Sequence, residues 1–415
     1  AAQLLGKAQM ADILADFGQR AGKEDPVVHF YETFLAEYDP AVREVRGVYY
    51  TPEPVMSYIV RSLDYLLKTR LNKPNGLADD ETLILDPATG TGSFLFEVVK
   101  QIHQTITRAA AGAWSDYVER KLLPRLFGFE LLMAPYAVAH LKLGLLLQQL
   151  HYTFQDKQRL GIYLTNTLEN AIRRTDVLMS RFIVEEAEEA AAIKRDRPIL
   201  VVLGNPPYSG HSANRSETTE FVPPGQTYVT DSASGLRVTR KAGKNGVTLT
   251  RKTFIGKLIE DYKLVDGKPL GEQNSKWLQD DYVKFIRFAQ WRIERTGEGL
   301  IGFITNHGYL DNPTFRGMRQ SLMRTFSEIY VYNLHGNARK RETAPDGGND
   351  ENVFEIQQGV AILLCVKQTS QKQPARIYHA DAWGVQQNKY DILRQSSVQT
   401  TAWQLLQPRP PFYLF

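Results

Sequence analysis

Short apolar runs alternate with helix-spaced amphipathic segments along most of this chain, and that alternation limits the fold more than any other feature. The apolar runs are TLILD (82–86), LFGF (near Leu126–Phe129), GIYLTN, PILVVLG, GLIGFITN (299–306), EIYVYNLHG (328–336) and GVAILLCVK (359–367). Between them lie segments with helical spacing: about Pro54 to Arg70, SFLFEVVKQIHQTI, APYAVAHLKLGLLLQQL, the charged RFIVEEAEEAAAIKRDRP, 279–295 and 314–326. Strands that alternate with helices over short loops predict an α/β fold, a mostly parallel, doubly wound sheet of Rossmann-like type. Residues 1–45 read as a helical segment, with Val28, Phe30, Tyr31, Phe34 and Leu35 at helical intervals. The Gly-, Ser- and Thr-rich stretch 209–275 reads as an irregular insertion.

Composition sets the outer limits. A chain of 415 residues allows two or three domains, or one large core with insertions. With 43% apolar and 23% charged residues it is neither disordered nor fibrous. The net charge of +4 means that any nucleic-acid footprint must be local. Residues 237–257 hold seven Lys or Arg and no acid, which fits a solvated loop or a phosphate-contacting surface. Cys365 is the single cysteine, so an intramolecular disulfide and a Cys-rich zinc site are both excluded; its apolar run predicts a buried strand position. No run of 18 apolar residues and no signal peptide is present, which predicts a cytoplasmic protein without membrane contact. No His/Asp/Glu cluster has ligand spacing, so no metal is expected, and His307 and His335 read as satisfied polar residues at strand ends. The sequence has no Walker A motif and no clustered nuclease carboxylates. A start without Met and an ending at PPFYLF suggest a piece of something longer.

Three motifs carry chemistry. LDPATGTGSF (85–94) ends a strand at Asp86, turns on Gly90 and Gly92, and starts a helix. Missing side chains let a ligand approach the backbone, and a helix N-terminus attracts negative groups. A bare GxG would fit a plain turn as well; the full string is far more specific and resembles the S-adenosylmethionine loop of class I methyltransferases. GFE (128–130) follows one strand later, and Glu130 is either an acid ahead of a helix or an acceptor for two ribose hydroxyls. Beside the first motif, the ribose reading is favoured. The third motif is GNPPYSG (204–210), directly after PILVVL. Two prolines cannot continue a central strand, so Pro206 and Pro207 fix the backbone at its end. The Asn205 side-chain oxygen and the Pro206 carbonyl then form two acceptors beside Tyr208. A planar amine fits there, donating two N–H groups while its ring stacks on the tyrosine.

Asn-Pro-Pro-Tyr after the fourth strand resembles the catalytic motif of amino methyltransferases. GVYYTPEPV lies before the glycine loop and NPPY after it, the order of γ-class DNA adenine-N6 methyltransferases. The resemblance runs from about residue 26 to 368 and is closest to the methyltransferase region of Type I single-polypeptide (Type ISP) restriction–modification enzymes. The strings HFYETFLAEYDPAVREVRGVYYTPEPV, NSKWLQDDYVKFIRFAQWRI, GFITNHGYLDNPTFRGMRQSL and YNLHGNARKRETAPDGGNDENVFEIQQGVAILL carry it.

The resemblance implies a class I S-adenosylmethionine-dependent fold and transfer of the cofactor's methyl to the 6-amino group of a flipped adenine in double-stranded DNA. Tyr50, Thr51 and Pro52 would meet the methionine end of the cofactor. Asp86, Pro87, Ala88, Gly90, Gly92, Ser93 and Phe94 would line its loop, and Glu130 would hold the ribose. Asn166 stands where the family often has Asp bonding the cofactor adenine. Asn205, Pro206, Pro207 and Tyr208 would carry catalysis, with Asn205 also beside the cofactor. Phe354 matches an aromatic that packs on the flipped base, and a core position would suit it equally.

The implied organisation is a helical coupler segment (1–45), a cofactor-binding and catalytic half (46–208), the basic insertion (209–275), the remaining core strands (276–400), and the start of a target-recognition domain (401–415). Upstream helicase and nuclease domains and a downstream recognition domain would be linked covalently. Two rivals share parts of this pattern: a protein glutamine N-methyltransferase, and a recognition or coupling module that uses the cofactor only as a structural ligand.

Overall fold

In a computed structural model, the described residues are 51–155, 158–169, 181–208, 212, 214–231, 237–272, 276–369 and 374–415. The expected N-terminal helical segment and Tyr50 lie outside them. The helices are α1 (Glu53–Arg70), α2 (Ser93–Ala109), α3 (Met133–Gln149), α4 (Arg181–Asp196), α5 (Phe254–Ile259), α6 (Asp281–Thr296), α7 (Arg316–Thr325) and α8 (Gln386–Gln395). The strands of the main sheet are β1 (Ile84–Asp86), β2 (Leu126–Glu130), β3 (Gly161–Leu164), β4 (Val201–Gly204), β11 (Gly299–Asn306), β12 (Glu328–His335), β13 (Val360–Lys367), β14 (Arg376–Asp381) and β15 (Gln404–Leu406). Strands β5 to β10 belong to the insertion.

The nine strands are ordered β15-β14-β12-β13-β11-β4-β1-β2-β3. Pairing is parallel from β3 through β2, β1 and β4 to β11. Strand β13 then runs antiparallel between β11 and β12. This is the Rossmann-like sheet of class I methyltransferases, extended at one edge by β14 and β15. Strands β1 and β4 are buried at every position, as strands covered on both faces must be. Gly299 and Gly302 show the cover on β11. A side chain at Gly299 would meet Ile293 of α6, whereas one at Gly302 would meet Leu63 and Ile59 of α1. The two positions are an odd number of residues apart, so these helices pack on opposite faces. Cys365 sits fully buried in β13.

The insertion corrects one expectation. The stretch 209–275 is not irregular: β5 (Glu217–Val222) pairs with β8 (Val247–Lys252), and β6 (Thr227–Asp231) pairs with β7 (Arg237–Lys241) between them. Arg251 Nη2 of the outer pair reaches the Val229 carbonyl of the inner pair at 3.5 Å. These strands are short and largely exposed, and the only alternation in them, Val247-Thr248-Leu249-Thr250, is too brief to mark a strand by itself. A two-residue pair, β9 (Leu264–Val265) and β10 (Lys268–Pro269), closes the insertion.

Residues 401–415 supply β15 and then return to the body. Arg319, wholly buried, donates to the carbonyls of Tyr309, Asn312, Phe412 and Tyr413. Among the described residues, no helix is long and apolar enough to cross a membrane.

Candidate active site

The parallel half of the sheet places the motifs side by side, because β4 and β2 flank β1 and all three end at one edge. After β1 the chain turns through two left-handed glycines, Gly90 at φ +55° and Gly92 at φ +81°. A Cβ on Gly92 would lie 3.2 Å from Ala139 of α3, so helix α3 approaches as closely as a bare backbone permits. Above Gly90 nothing lies within 4 Å of where a Cβ would stand, which leaves an open cradle.

Glu130 spans this cradle from the end of β2. One carboxylate oxygen accepts from Gly90 N at 2.8 Å, and the other accepts from the Leu131 and Leu132 amides at 2.9 and 2.8 Å. Asp86 lies beneath, 1% exposed. Its Oδ1 accepts from Ala88 N at 3.0 Å, while its Oδ2 is buried without a hydrogen-bond partner among the described residues. Burial, reinforced by the neighbouring Glu130 carboxylate, lifts the Asp86 pKa to about 8. Gly204 makes this packing possible, since a Cβ there would stand 2.6 Å from Asp86 Oδ1. It is the last residue of β4, so a glycine carboxylate contact joins the first motif to the third. The sequence shows the glycine before NPPY, but not that Asp86 needs it.

Asn205 follows and donates from Nδ2 to Thr51 Oγ1 at 3.0 Å. Thr51 is 5% exposed and sits just ahead of α1, whose first amides bond to the Pro52 carbonyl. This contact spans 154 residues and fixes the amide so that Oδ1 points away from Thr51. Tyr208 is 2% exposed, buried rather than displayed. The segment beyond it is tied to α6: Ser212 bonds to Asp281, and Lys284 Nζ donates to Ser212 Oγ at 2.8 Å and the Asn214 carbonyl at 2.5 Å.

Other proposed cofactor residues have different surroundings. Phe94 lies in the core at 4% exposure, and Ser93 Oγ accepts from Lys142 at 3.0 Å. The Pro87 carbonyl accepts from Thr167 Oγ1 at 2.5 Å, which draws the loop after β3 against the loop after β1. No sequence signal marked Thr167 for this role. The Asn166 side chain is engaged within the chain: Oδ1 accepts from Leu168 N at 3.1 Å and Nδ2 donates to Asn214 at 2.9 Å. Phe354 sits in the loop between β12 and β13, 6% exposed.

Farther along the edge, His307 just after β11, His335 at the end of β12 and Glu342 in the loop that follows lie with one ligand atom from each within 4.8 Å. They come from separate elements, so their spacing along the chain carries no metal-ligand pattern. His307 Nδ1 pairs with Asn333 Oδ1 and its Nε2 with Asn337 Nδ2, both at 3.1 Å. His335 Nε2 bonds to Asp381 at 2.7 Å, with Nδ1 facing Glu342 at 3.8 Å. Its pKa is raised: burial opposes the charge, but Asp381 and Glu342 outweigh it. Both ring nitrogens of His307 are thus taken by amide partners, and the trio reads as a polar brace.

The sequence model of the N-6 DNA Methylase family matches residues 22–248, more than half of the chain. The chain belongs to the N-6 DNA methylases. Among solved structures it is similar to the ATP-dependent Type ISP restriction-modification enzyme LlaBIII bound to DNA, with 27% identity, a TM-score of 0.71, and coverage of 94% of this chain and 23% of that one. A DrdV–DNA complex gives 25% identity and a TM-score of 0.69 over 92% of this N-6 methylase and 33% of the DrdV chain. A nuclease-deletion mutant of the Type ISP enzyme LlaGI with a DNA substrate mimic shares the fold at 22% identity and a TM-score of 0.68, covering 99% and 31%. The chain therefore spans 23–33% of these structures' lengths. No curated protein sequence matches it.

Proposed function

We propose that this chain is the methyltransferase region of a Type ISP-like restriction–modification enzyme and methylates the 6-amino group of adenine in double-stranded DNA. The observation that carries the reading is the adjacency of the Asp86–Gly90–Glu130 cradle and Asn205 at the ends of neighbouring strands. In this reading the region works within a longer protein that also holds ATP-driven, nuclease and target-recognition parts, in the cytoplasm.

S-adenosylmethionine fits the cradle. Its ammonium group suits the unpartnered Asp86 oxygen, and the open space over Gly90 admits a ligand against the backbone. Glu130 would take the ribose, exchanging or sharing its amide bonds with the hydroxyls. The cofactor supplies an electrophilic sulfonium methyl.

The protein's own work is positioning. An exocyclic amine is a weak nucleophile because its lone pair is delocalised into the ring. Acceptors at Asn205 Oδ1 and the Pro206 carbonyl bond its two N–H groups and favour a pyramidal nitrogen aimed at the methyl. Thr51 keeps the Asn205 oxygen turned to that task by holding the other end of the amide. The methylated amine is cationic and acidic, so water can take its proton and no side-chain base is required. A duplex adenine must leave the stack to reach this site, at a cost of a few kcal/mol. Tyr208 would stack on it once the pocket around the buried ring opens.

The test is mass spectrometry of nucleosides from unmethylated DNA incubated with the chain and S-adenosylmethionine. N6-methyladenine should form. Methylation of a protein glutamine instead, or bound cofactor with no single-turnover transfer, would replace this function with one of its rivals.

A further inference from the structure

The loop 336–359 between β12 and β13 carries Phe354 and has almost no regular structure of its own, yet it is fixed from outside the two strands it joins. The fixing element is the turn before α8 together with its first residues. Lys389 is fully buried, and its ammonium meets Asp350 Oδ1 at 2.7 Å, the Leu334 carbonyl at 2.7 Å and the Glu351 carbonyl at 2.6 Å. Those three partners use all three donors of the group. Asp350 is buried as well; its other oxygen accepts from Gly336 N at 2.7 Å, and Oδ1 also accepts from Gly384 N at 3.0 Å. Tyr390 Oη donates to the Val353 carbonyl at 2.7 Å, next to Phe354.

A buried ion pair gains little net stability against an apolar pair of similar shape, so burying one is weak evidence for a merely stabilising role. Here the bonds of the pair end on backbone at the loop's entry (Leu334, Gly336), within the loop (Glu351) and in the turn before α8 (Gly384). That arrangement fixes a conformation. Asn352 completes it: Nδ2 donates to the Gly336 and Gln358 carbonyls at 3.0 and 2.7 Å, and Oδ1 accepts from Phe354 N at 2.9 Å.

We propose that Lys389 and Tyr390 are positioning residues that set Phe354 for the flipped adenine. The proposal rests on the reading of Phe354 as the aromatic that packs on the target base. By this account α8, which lies beyond the strands that bind cofactor, governs acceptance of the base and leaves cofactor binding alone.

The experiment uses the full chain, with tritiated S-adenosylmethionine and unmethylated plasmid DNA at low salt. Lys389→Met, Tyr390→Phe, Phe354→Ala and the double variant Tyr390→Phe/Phe354→Ala are compared for thermal midpoint, cofactor Kd, and kcat and KM for DNA. Lys389→Met strands Asp350 and should lower the midpoint; Tyr390→Phe removes one hydrogen bond and keeps the fold, so it carries the test if the first variant fails to fold. The expected result is a severalfold or larger fall in transfer for both, with cofactor Kd within twofold of the parent. The decisive readout is coupling: the double variant should be no slower than Phe354→Ala alone, because the clamp acts through that ring. Losses that multiply, or clamp variants with parental transfer beside an impaired Phe354→Ala, would overturn the proposal and leave the Phe354 reading intact. A Phe354→Ala chain with parental transfer would end both.

Discussion

Replacing Asp86 by Asn should flatten the pH dependence of S-adenosylmethionine binding, and the size of the effect follows from the burial of this carboxyl. With its pKa raised to about 8, Asp86 is protonated roughly tenfold over ionised at pH 7. An ammonium group docked on Oδ2 requires the ionised form. Ionising Asp86 therefore costs binding about 1.4 kcal/mol at pH 7 and about 2.7 kcal/mol at pH 6. The ligand's own amine stays charged below about pH 7.7, so the window from pH 6 to 7 reports on Asp86 alone. Across it the parent should bind about tenfold tighter and release close to one proton per cofactor. Calorimetry in two buffers of different ionisation heat measures both quantities. Asp86→Asn should bind with the same affinity at both pH values and release no proton. A parental Kd that changes less than twofold across the window, or an Asn variant that keeps the slope, would refute the argument. The same shift predicts stability. A folded-state pKa above the ordinary 3.8 means that this group's contribution is complete below about pH 4 and lost as pH rises through 8. The cofactor-free chain should therefore melt at a lower temperature at pH 8 than at pH 6, and Asp86→Asn should lessen the difference.

Three further outcomes are expected. Asn205→Ala should lower methyl transfer on the order of 10² to 10³-fold while cofactor Kd, by calorimetry, changes little. Gly90→Asp should weaken cofactor binding at least tenfold, about 1.4 kcal/mol, since the new side chain enters open space rather than the protein; circular dichroism should show an intact fold with left-handed strain of about 1 kcal/mol. The chain alone should bind duplex DNA weakly, with Kd about 10⁻⁴ to 10⁻⁶ M that rises steeply with salt, and with little sequence preference. Titration of cognate and scrambled duplexes at two salt concentrations checks this, and tight, salt-resistant discrimination would place base readout inside these residues.

Local pattern carried the sheet and the motifs. Each core strand is an apolar run whose burial on both faces demands continuous hydrophobicity, so β1, β4, β11 and β13 could be read directly from residues 82–86, 201–204, 299–306 and 359–367. Glycine and proline mark strand ends because their backbone limits are intrinsic, and these made DPATGTGSF and NPPY legible. What the sequence could not disclose depends on contacts between distant residues. The insertion's strands are short and largely exposed, so their pairing partners define them. Asp86 needs Gly204 as a neighbour, Thr51 holds Asn205 across 154 residues, and Lys389 closes on Asp350 from beyond the core. A lysine in a polar helix and an aspartate in a polar loop look solvated one at a time; burial makes them a pair, and burial is a property of the tertiary structure alone.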